Sequence, residues 1–132
     1  MSYGVAAALQ GAVFGRLAAL PGLAGVPVLD AVPKGMTEGT FILIGSEEVR
    51  DQSDALASGA EHRFAISIVS DAAGFQTAKT LAVAVSDGLI DANLTLSRGR
   101  LVGLQFLSAV ARRLDEGRVR RIDLTFRARV ED

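Results

Sequence analysis

Few side chains in this sequence could carry out acid–base or metal chemistry. His62 is the only histidine, and the absence of cysteine excludes thiol catalysis, disulfides and cysteine-bound metals. Glu47 and Glu48 are adjacent carboxylates, but neighbours in sequence project in different directions, and the segment around them is polar. A lone histidine at the start of an alternating strand is typical of a structural or surface position. We therefore expect these residues to be solvated or structural rather than catalytic.

The glycine-rich and nucleophile motifs of common enzymes are missing as well. The sequence contains no G-x-S-x-G, H-E-x-x-H, Walker A or G-x-G-x-x-G pattern. Its 14 glycines lie at turns and on helix faces rather than in one phosphate-binding loop. The sequence thus predicts a protein that is not an enzyme, with no catalytic residues, no cofactor and no metal site.

Arginine is the most concentrated chemical feature of the chain. Residues 1–97 carry 5 basic and 10 acidic side chains and residues 98–132 carry 9 and 5, so the net charge of −1 conceals a net −5 and a net +4. Arginine suits planar contacts with carboxylates and phosphates. Two interpretations stay open: a solvated charged hairpin, or complementary surfaces that meet in an oligomer.

Nucleic-acid binding is the alternative function from a different class. The near-neutral total charge argues against a general nucleic-acid binder, and aromatic residues, which stack on bases, make up only 5% of the chain. Acidic residues are also interspersed among the C-terminal arginines. A β-hairpin nucleic-acid-binding protein therefore remains only as an alternative.

Length and hydropathy predict one packed domain over residues 1–132 without a membrane segment. With 132 residues and 49% apolar content, the chain is long enough to bury a core. The most apolar stretch, residues 5–28, contains Arg16 and is broken by Pro21, so it fits neither an export signal nor a bilayer span. Gly11 and Gly15 in this stretch predict close packing of a helix.

Hydrophobic periodicity predicts two amphipathic helices, over residues 4–20 and 74–90. Ser70 and Asp71 are expected to cap the second helix. Strands are predicted at 26–32, at 41–44 and at 62–70. The polar segment 45–59 shows no periodicity, and we expect it to be a mobile loop.

The C-terminal third predicts a long β-hairpin around Asp115-Glu116-Gly117. In the second run, Ile122 to Val130, apolar residues alternate strictly with polar ones, most of them arginines. In the first run the matching apolar positions are Val102, Leu104, Phe106 and Val110. The predicted fold class is α+β, with an antiparallel or mixed sheet, a long C-terminal hairpin and two helices packed on one face.

The order and spacing of several segments resemble a known family across almost the whole chain. These are GTFILIGSEEVRD, a strand Glu61–Ser70, DAAGFQTAKTLAVAVSDGL, Arg100-Leu101-Val102, and the runs Arg112–Gly117 and Arg118–Val130. The chain resembles the tail terminator (tail completion) proteins of long-tailed phages, prophages and gene transfer agents. A tryptophan common in the third strand of that family is absent here, where Ile68-Val69 stand.

The resemblance implies a structural virion protein, made in the bacterial cytoplasm, that forms a hexameric ring at the head-proximal end of the tail tube. Such a ring stops tube polymerisation and joins the tail to the head connector. Its implied partners are copies of itself, the major tail tube protein and the connector or stopper protein. DNA passes through the lumen without sequence recognition. Another head–tail connector or adaptor ring subunit is the alternative within this class.

A ring of identical subunits needs two different surfaces that fit each other. We therefore predict that the charged residues of both regions contribute to subunit and partner contacts. The candidate interface residues are Glu47, Glu48, Arg50, Asp51, Asp54, Arg112, Arg113, Arg120, Arg121, Arg127 and Arg129.

Overall fold

The structure is a computed structural model that describes residues 2–32, 38–53, 58–90 and 92–132. Its elements are the helices α1 (Ala6–Ala19) and α2 (Gln76–Leu89) and the strands β1 (Val28–Leu29), β2 (Thr40–Asp51), β3 (Gly59–Ser70), β4 (Arg100–Leu114) and β5 (Val119–Glu131). Within these residues the strands form one sheet in the order β1-β2-β3-β5-β4. The β1–β2 pair is parallel and the other pairs are antiparallel, which confirms the predicted α+β fold.

The centre of the sheet is the antiparallel pair of β3 and β5. It runs without a register shift from Gly59 opposite Glu131 to Ser70 opposite Arg120. The buried apolar side chains occupy every second position of both strands and therefore lie on one face of the sheet. On that face Phe64 and Phe126 stack with ring centroids 5.8 Å apart. This apolar face is the floor of the hydrophobic core.

Both helices cover that apolar face through the predicted stripes. The buried residues of α1 are Leu9, Val13 and Leu17, and those of α2 include Ala78, Ala82, Val85 and Leu89. The predicted capping is wrong, because Phe75 occupies the N-cap of α2 without a side-chain hydrogen bond. Ser70 and Asp71 instead accept hydrogen bonds from the backbone N–H groups of Ala72 and Gly39, at 3.1 and 2.9 Å.

Strand β2 corrects the prediction that residues 45–59 form a loop. A register shift between Ile44 and Glu47 marks a bulge, after which β2 continues to Asp51 beside β3. Because this half of β2 is mostly exposed, most of its residues are polar, and apolar and polar residues do not alternate along it. Segment 45–51 is therefore strand, and Gly59 begins β3. The mobility of segment 45–59 in the free protein stays a prediction.

Strand β4 corrects the apolar parity predicted for the first run of the hairpin. Two register shifts, at Val102 and at Leu107, change which residues share a face. Leu104 lies on the core side as predicted, but Val110 is opposite Asp123, on the polar side of the sheet. Since each bulge adds one residue to β4 alone, counting in twos along its sequence fails beyond the bulge.

Gly88 of α2 lies in close contact with α1 and with Leu20, the residue that follows α1. Its carbonyl oxygen accepts a hydrogen bond of 2.9 Å from Arg16 Nε, and a Cβ added at Gly88 would meet the side chain of Leu20. Gly11 and Gly15 of α1, in contrast, have nothing within 4 Å of an added Cβ. The close packing predicted for Gly11 and Gly15 is therefore wrong.

We predict opposite effects of substitutions at Gly88 and Gly11. Gly88→Val should lower the free energy of unfolding by about 1–3 kcal/mol, because Leu20 must move away from the added methyl groups. Gly11→Ala, the matched control in open space, should raise it by about 0.5–1 kcal/mol through helix propensity. Urea unfolding followed by circular dichroism measures both, and equal stability of the two variants would contradict this packing.

Candidate assembly interface

The charged side chains concentrate on the face of the sheet that the helices leave uncovered, which we call the open face. The open face arises because successive side chains of β3 and β5 point to opposite faces of the sheet, and the other of these two faces forms the core. Its polar residues are Glu48 and Arg50 on β2, Glu61, Arg63 and Ser67 on β3, Arg121, Asp123, Arg127 and Arg129 on β5, and Gln105 and Arg112 on β4.

Glu61 is the centre of one charged cluster on the open face. Although it is a carboxylate, only 6% of it is exposed. Arg63 Nε donates to Glu61 Oε2 at 2.9 Å, and Arg127 Nε lies 3.6 Å from Glu61 Oε1. Arg127 also donates to the side chain of Gln105. A buried carboxylate needs such compensation, so these arginines stabilise the subunit itself.

Asp123 is the centre of a second cluster further along β5. Its carboxylate accepts hydrogen bonds from Ser67 Oγ at 2.5 Å, Arg121 Nε at 2.8 Å and Arg112 Nη2 at 2.9 Å. Partial burial alone would raise the pKa of Asp123, but these hydrogen bonds and the Arg121 charge outweigh it and hold the pKa below its usual value. The second cluster therefore also joins β3, β5 and β4 within one subunit.

The six candidate arginines of the hairpin lie on two different faces of the sheet. Arg112, Arg121, Arg127 and Arg129 lie on the open face. Arg113 and Arg120 lie opposite each other on the other face, since adjacent residues in a strand alternate. The Arg113 guanidinium is 5.1 Å from the centre of the Phe75 ring, and Arg120 Nη1 donates to the Ala72 carbonyl at 3.3 Å. This second pair therefore supports the start of α2.

The candidate charged residues in and after β2 also differ in their positions. Glu48 and Arg50 are on the open face and form an exposed ion pair of 2.7 Å. Asp51 accepts a hydrogen bond of 2.6 Å from Ser53 Oγ, which lowers its pKa. Asp54, the remaining candidate, lies outside the described residues. Glu48 and Arg50 are thus the β2 charges that can reach a partner from the open face.

His62 and Glu47 lie on the core side of the sheet. His62 is fully buried, and its Nδ1 is 3.3 Å from Glu47 Oε2. The pair therefore links β3 to β2 within the subunit. No group of three or more potential ligands that could hold a metal ion occurs in the described part of the chain.

The interface prediction missed Glu61, Ser67, Gln52 and Gln105, which join the arginines of the open face. Arg129 donates to the Gln52 side chain and, at 3.0 Å, to the Gln52 carbonyl. Ser67 and Arg63 occupy alternate positions of the β3 run, so strand parity places them on the face opposite His62. Strand parity could therefore have placed Ser67 and Arg63 on this face from the sequence. Their partners on β4 and β5, in contrast, follow only from the pairing of the strands in the structure.

None of the helices in the ranges that the structure describes is both long and apolar enough to cross a membrane. A charged depression of about 420 Å³ is open to solvent on the open face. It is lined by Gln52, Glu61, Val102, Gly103, Gln105, Arg127 and Arg129. Its lining is the first charged cluster and the adjoining bulge of β4, so the depression extends the same surface.

Comparisons with known proteins identify a family and a solved structure to which this chain is similar. The sequence model of the family described as "Tail completion protein gp17" matches residues 11–131. A chain in the solved structure of a virion of a native gene transfer agent (GTA) particle is 56% identical, with a TM-score of 0.89, over 98% of this chain and 99% of that chain. No curated protein sequence matches.

The second cluster predicts a pH-dependent contribution to stability. Because the pKa of Asp123 is lower in the folded than in the unfolded protein, its contribution is complete above about pH 4–5 and is lost as the pH falls through the folded value. Asp123→Asn should lower the free energy of unfolding at pH 7 by about 1–3 kcal/mol. The difference from the unsubstituted protein should shrink toward pH 3.

Urea titrations at pH 7, 4 and 3 measure this effect. Asp115→Asn at the hairpin tip is the matched control, because the Asp115 carboxylate is exposed and forms an exposed ion pair with Arg118 at 2.8 Å. We expect the control to change stability little at any pH. A loss for Asp123→Asn that is equally large at all three pH values would contradict the charge-based assignment.

Proposed function

The chain belongs to the tail completion protein gp17 family, and from this membership we propose that it is a structural protein of a phage-like particle, the terminator of its tail. In this proposal the protein forms a ring at the head-proximal end of the tail tube. The ring stops tube polymerisation and joins the tail to the head connector. The protein acts by shape and contact, without a chemical reaction.

The observation that carries the proposal is the likeness to a chain of a gene transfer agent virion. The two chains are 56% identical and match over nearly their whole lengths, so the complete domain corresponds and not only a shared core. We therefore propose the head–tail junction of a gene-transfer-agent-like or phage particle as the location of this protein. Its proposed partners are further copies of itself, the major tail tube protein and the connector protein.

The distribution of charge supports an assembly role over DNA binding. Arg63 and Arg127 are bound to Glu61, and Arg112 and Arg121 are bound to Asp123, so much of the arginine charge is compensated within the subunit. Phosphate binding by counterion release needs cations that are available to the backbone. We propose that DNA passes through the ring without sequence recognition.

The terminator proposal predicts a defect in both tail length and head joining. Particles assembled without this chain should show heads that lack attached tails, together with tail tubes of widely varying length. Expression of the unsubstituted chain from a second gene copy is the control and should restore uniform tailed particles. Electron microscopy of purified particles measures tube length and the fraction of tailed heads.

Cryo-electron microscopy of complete particles separates the terminator from a connector or adaptor subunit. A terminator should form a ring in direct contact with the last ring of the tube, on its head-proximal side. Placement of this chain within the head portal complex, with normal tube length in its absence, would favour an adaptor instead. Salt-sensitive retention of the free protein on DNA would favour the hairpin nucleic-acid-binding alternative.

A further inference from the structure

Strand β4 presents a long edge that lacks a partner within the described residues. It is the last strand of the sheet order and spans 15 residues. The segment 105–111 (QFLSAVA) contains neither charge nor proline, and Leu107 and Val110 are 36% and 53% exposed. Soluble proteins protect such edges with charges, prolines or a covering element, because a bare strand edge pairs with other chains.

The opposite side of the sheet has a second uncovered edge. Strand β1 pairs with only Ile42 and Leu43 of β2. The outer edge of β2 from Glu47 to Asp51 therefore has no paired strand among the described ranges. One subunit thus carries two bare edges, separated by the width of the sheet, and these edges differ in sequence.

The directions of the strands make these two edges complementary. Successive neighbours from β2 through β3 and β5 to β4 are antiparallel, so β2 and β4 run in opposite directions. A second copy related by rotation can place its β2 beside β4 of the first in an antiparallel pair. Such a head-to-tail contact repeats from copy to copy, as a ring of identical subunits requires.

The charges along the two edges, and the face of the sheet on which each side chain lies, select one register for this pair of strands. The bulge at Leu107 divides the β4 edge, and the part beyond it carries Arg112 and Arg113. Glu48 shares the open face with Arg112, whereas Glu47 and Arg113 lie on the helix side. Setting Glu48 opposite Arg112 brings Glu47 opposite Arg113 as well, so both cross-strand pairs join opposite charges. Glu48 and Arg112 are accessible for this contact, with side chains 59% and 49% exposed.

We infer that residues 109–114 of β4 in one copy pair antiparallel with residues 46–51 of β2 in the next, with Glu48 opposite Arg112. The sheet then continues from subunit to subunit. This inference rests on the proposed function, since it identifies the contact that closes the proposed ring. It also assigns a partner to the last part of the uncharged segment of β4, Ala109 to Ala111, namely a second copy of this chain.

A second register serves as the internal comparison. Glu48, Arg63, Arg127 and Gln105 form one row across the sheet of a single subunit. Copies placed side by side at equal height would therefore set Glu48 opposite Gln105. This register also matches faces, but it brings no opposite charges together. The two registers differ by the position on β4 that meets Glu48.

Disulfide trapping distinguishes the registers, because the chain has no cysteine of its own. Glu48→Cys with Arg112→Cys tests the inferred register, and Arg50→Cys with Val110→Cys tests it independently. Glu48→Cys with Gln105→Cys is the matched control. Within one subunit β3 and β5 separate β2 from β4 by about 14 Å, too far for a disulfide, so every bond formed joins two copies.

The variants are incorporated into particles in place of the unsubstituted chain, oxidised, and analysed on non-reducing gels. We expect most of the chain in a multimer ladder for the first two pairs, and only monomers for the control pair. A ladder from the control pair would overturn the inference. So would monomers from all three pairs in normal tailed particles, although the proposed function would then stand. Absence of the unsubstituted chain from tailed particles would overturn the proposed function itself.

Discussion

The twelve-residue pairing of β3 with β5 is the constraint on which the rest of the structure depends. It runs without a bulge, so the alternation of the two strands stays in phase over their whole shared length. One face can then be mostly apolar and receive both helices, while the other collects most of the charged residues. The outer strands β2 and β4 both contain bulges, but the core tolerates them because the central pair keeps its register.

The parts of the fold that could be predicted from sequence are those where burial imposes a period. Strand β5 is covered on one face throughout, and its strict alternation identified the core side correctly. The second half of β2 is exposed, so nothing in its composition distinguished a strand from a loop. The bulges at Val102 and Leu107 carry no marker residue, which is why Val110 was assigned to the wrong face. Parity arguments hold only as far as the pairing is regular.

The candidate interface shows the same limit. The sequence predicted that the hairpin arginines and the charged residues around β2 contribute to assembly contacts, but it did not show which side chains share a face. The structure assigns Arg112 and Arg121 to the open face and Arg113 and Arg120 to the start of α2. Arg112 and Arg121 pair with Asp123 of the same C-terminal region, and Arg127 pairs with Glu61 across the two regions. In the contact that we infer between copies, the complementary charges lie along the two edges of the sheet, with acidic residues on β2 and arginines on β4.

The position of β5 in the sheet has a consequence for how the protein folds. β5 lies between β3 and β4, and the backbone N–H of Asp132 donates to the Ser58 carbonyl. The central pair therefore joins parts of the chain that α2 and β4 separate in sequence, and closing such distant contacts is intrinsically slow. Because this pair forms only when the C-terminal hairpin docks against β3, a chain that has not finished folding lacks the sheet whose edges the inferred contact uses.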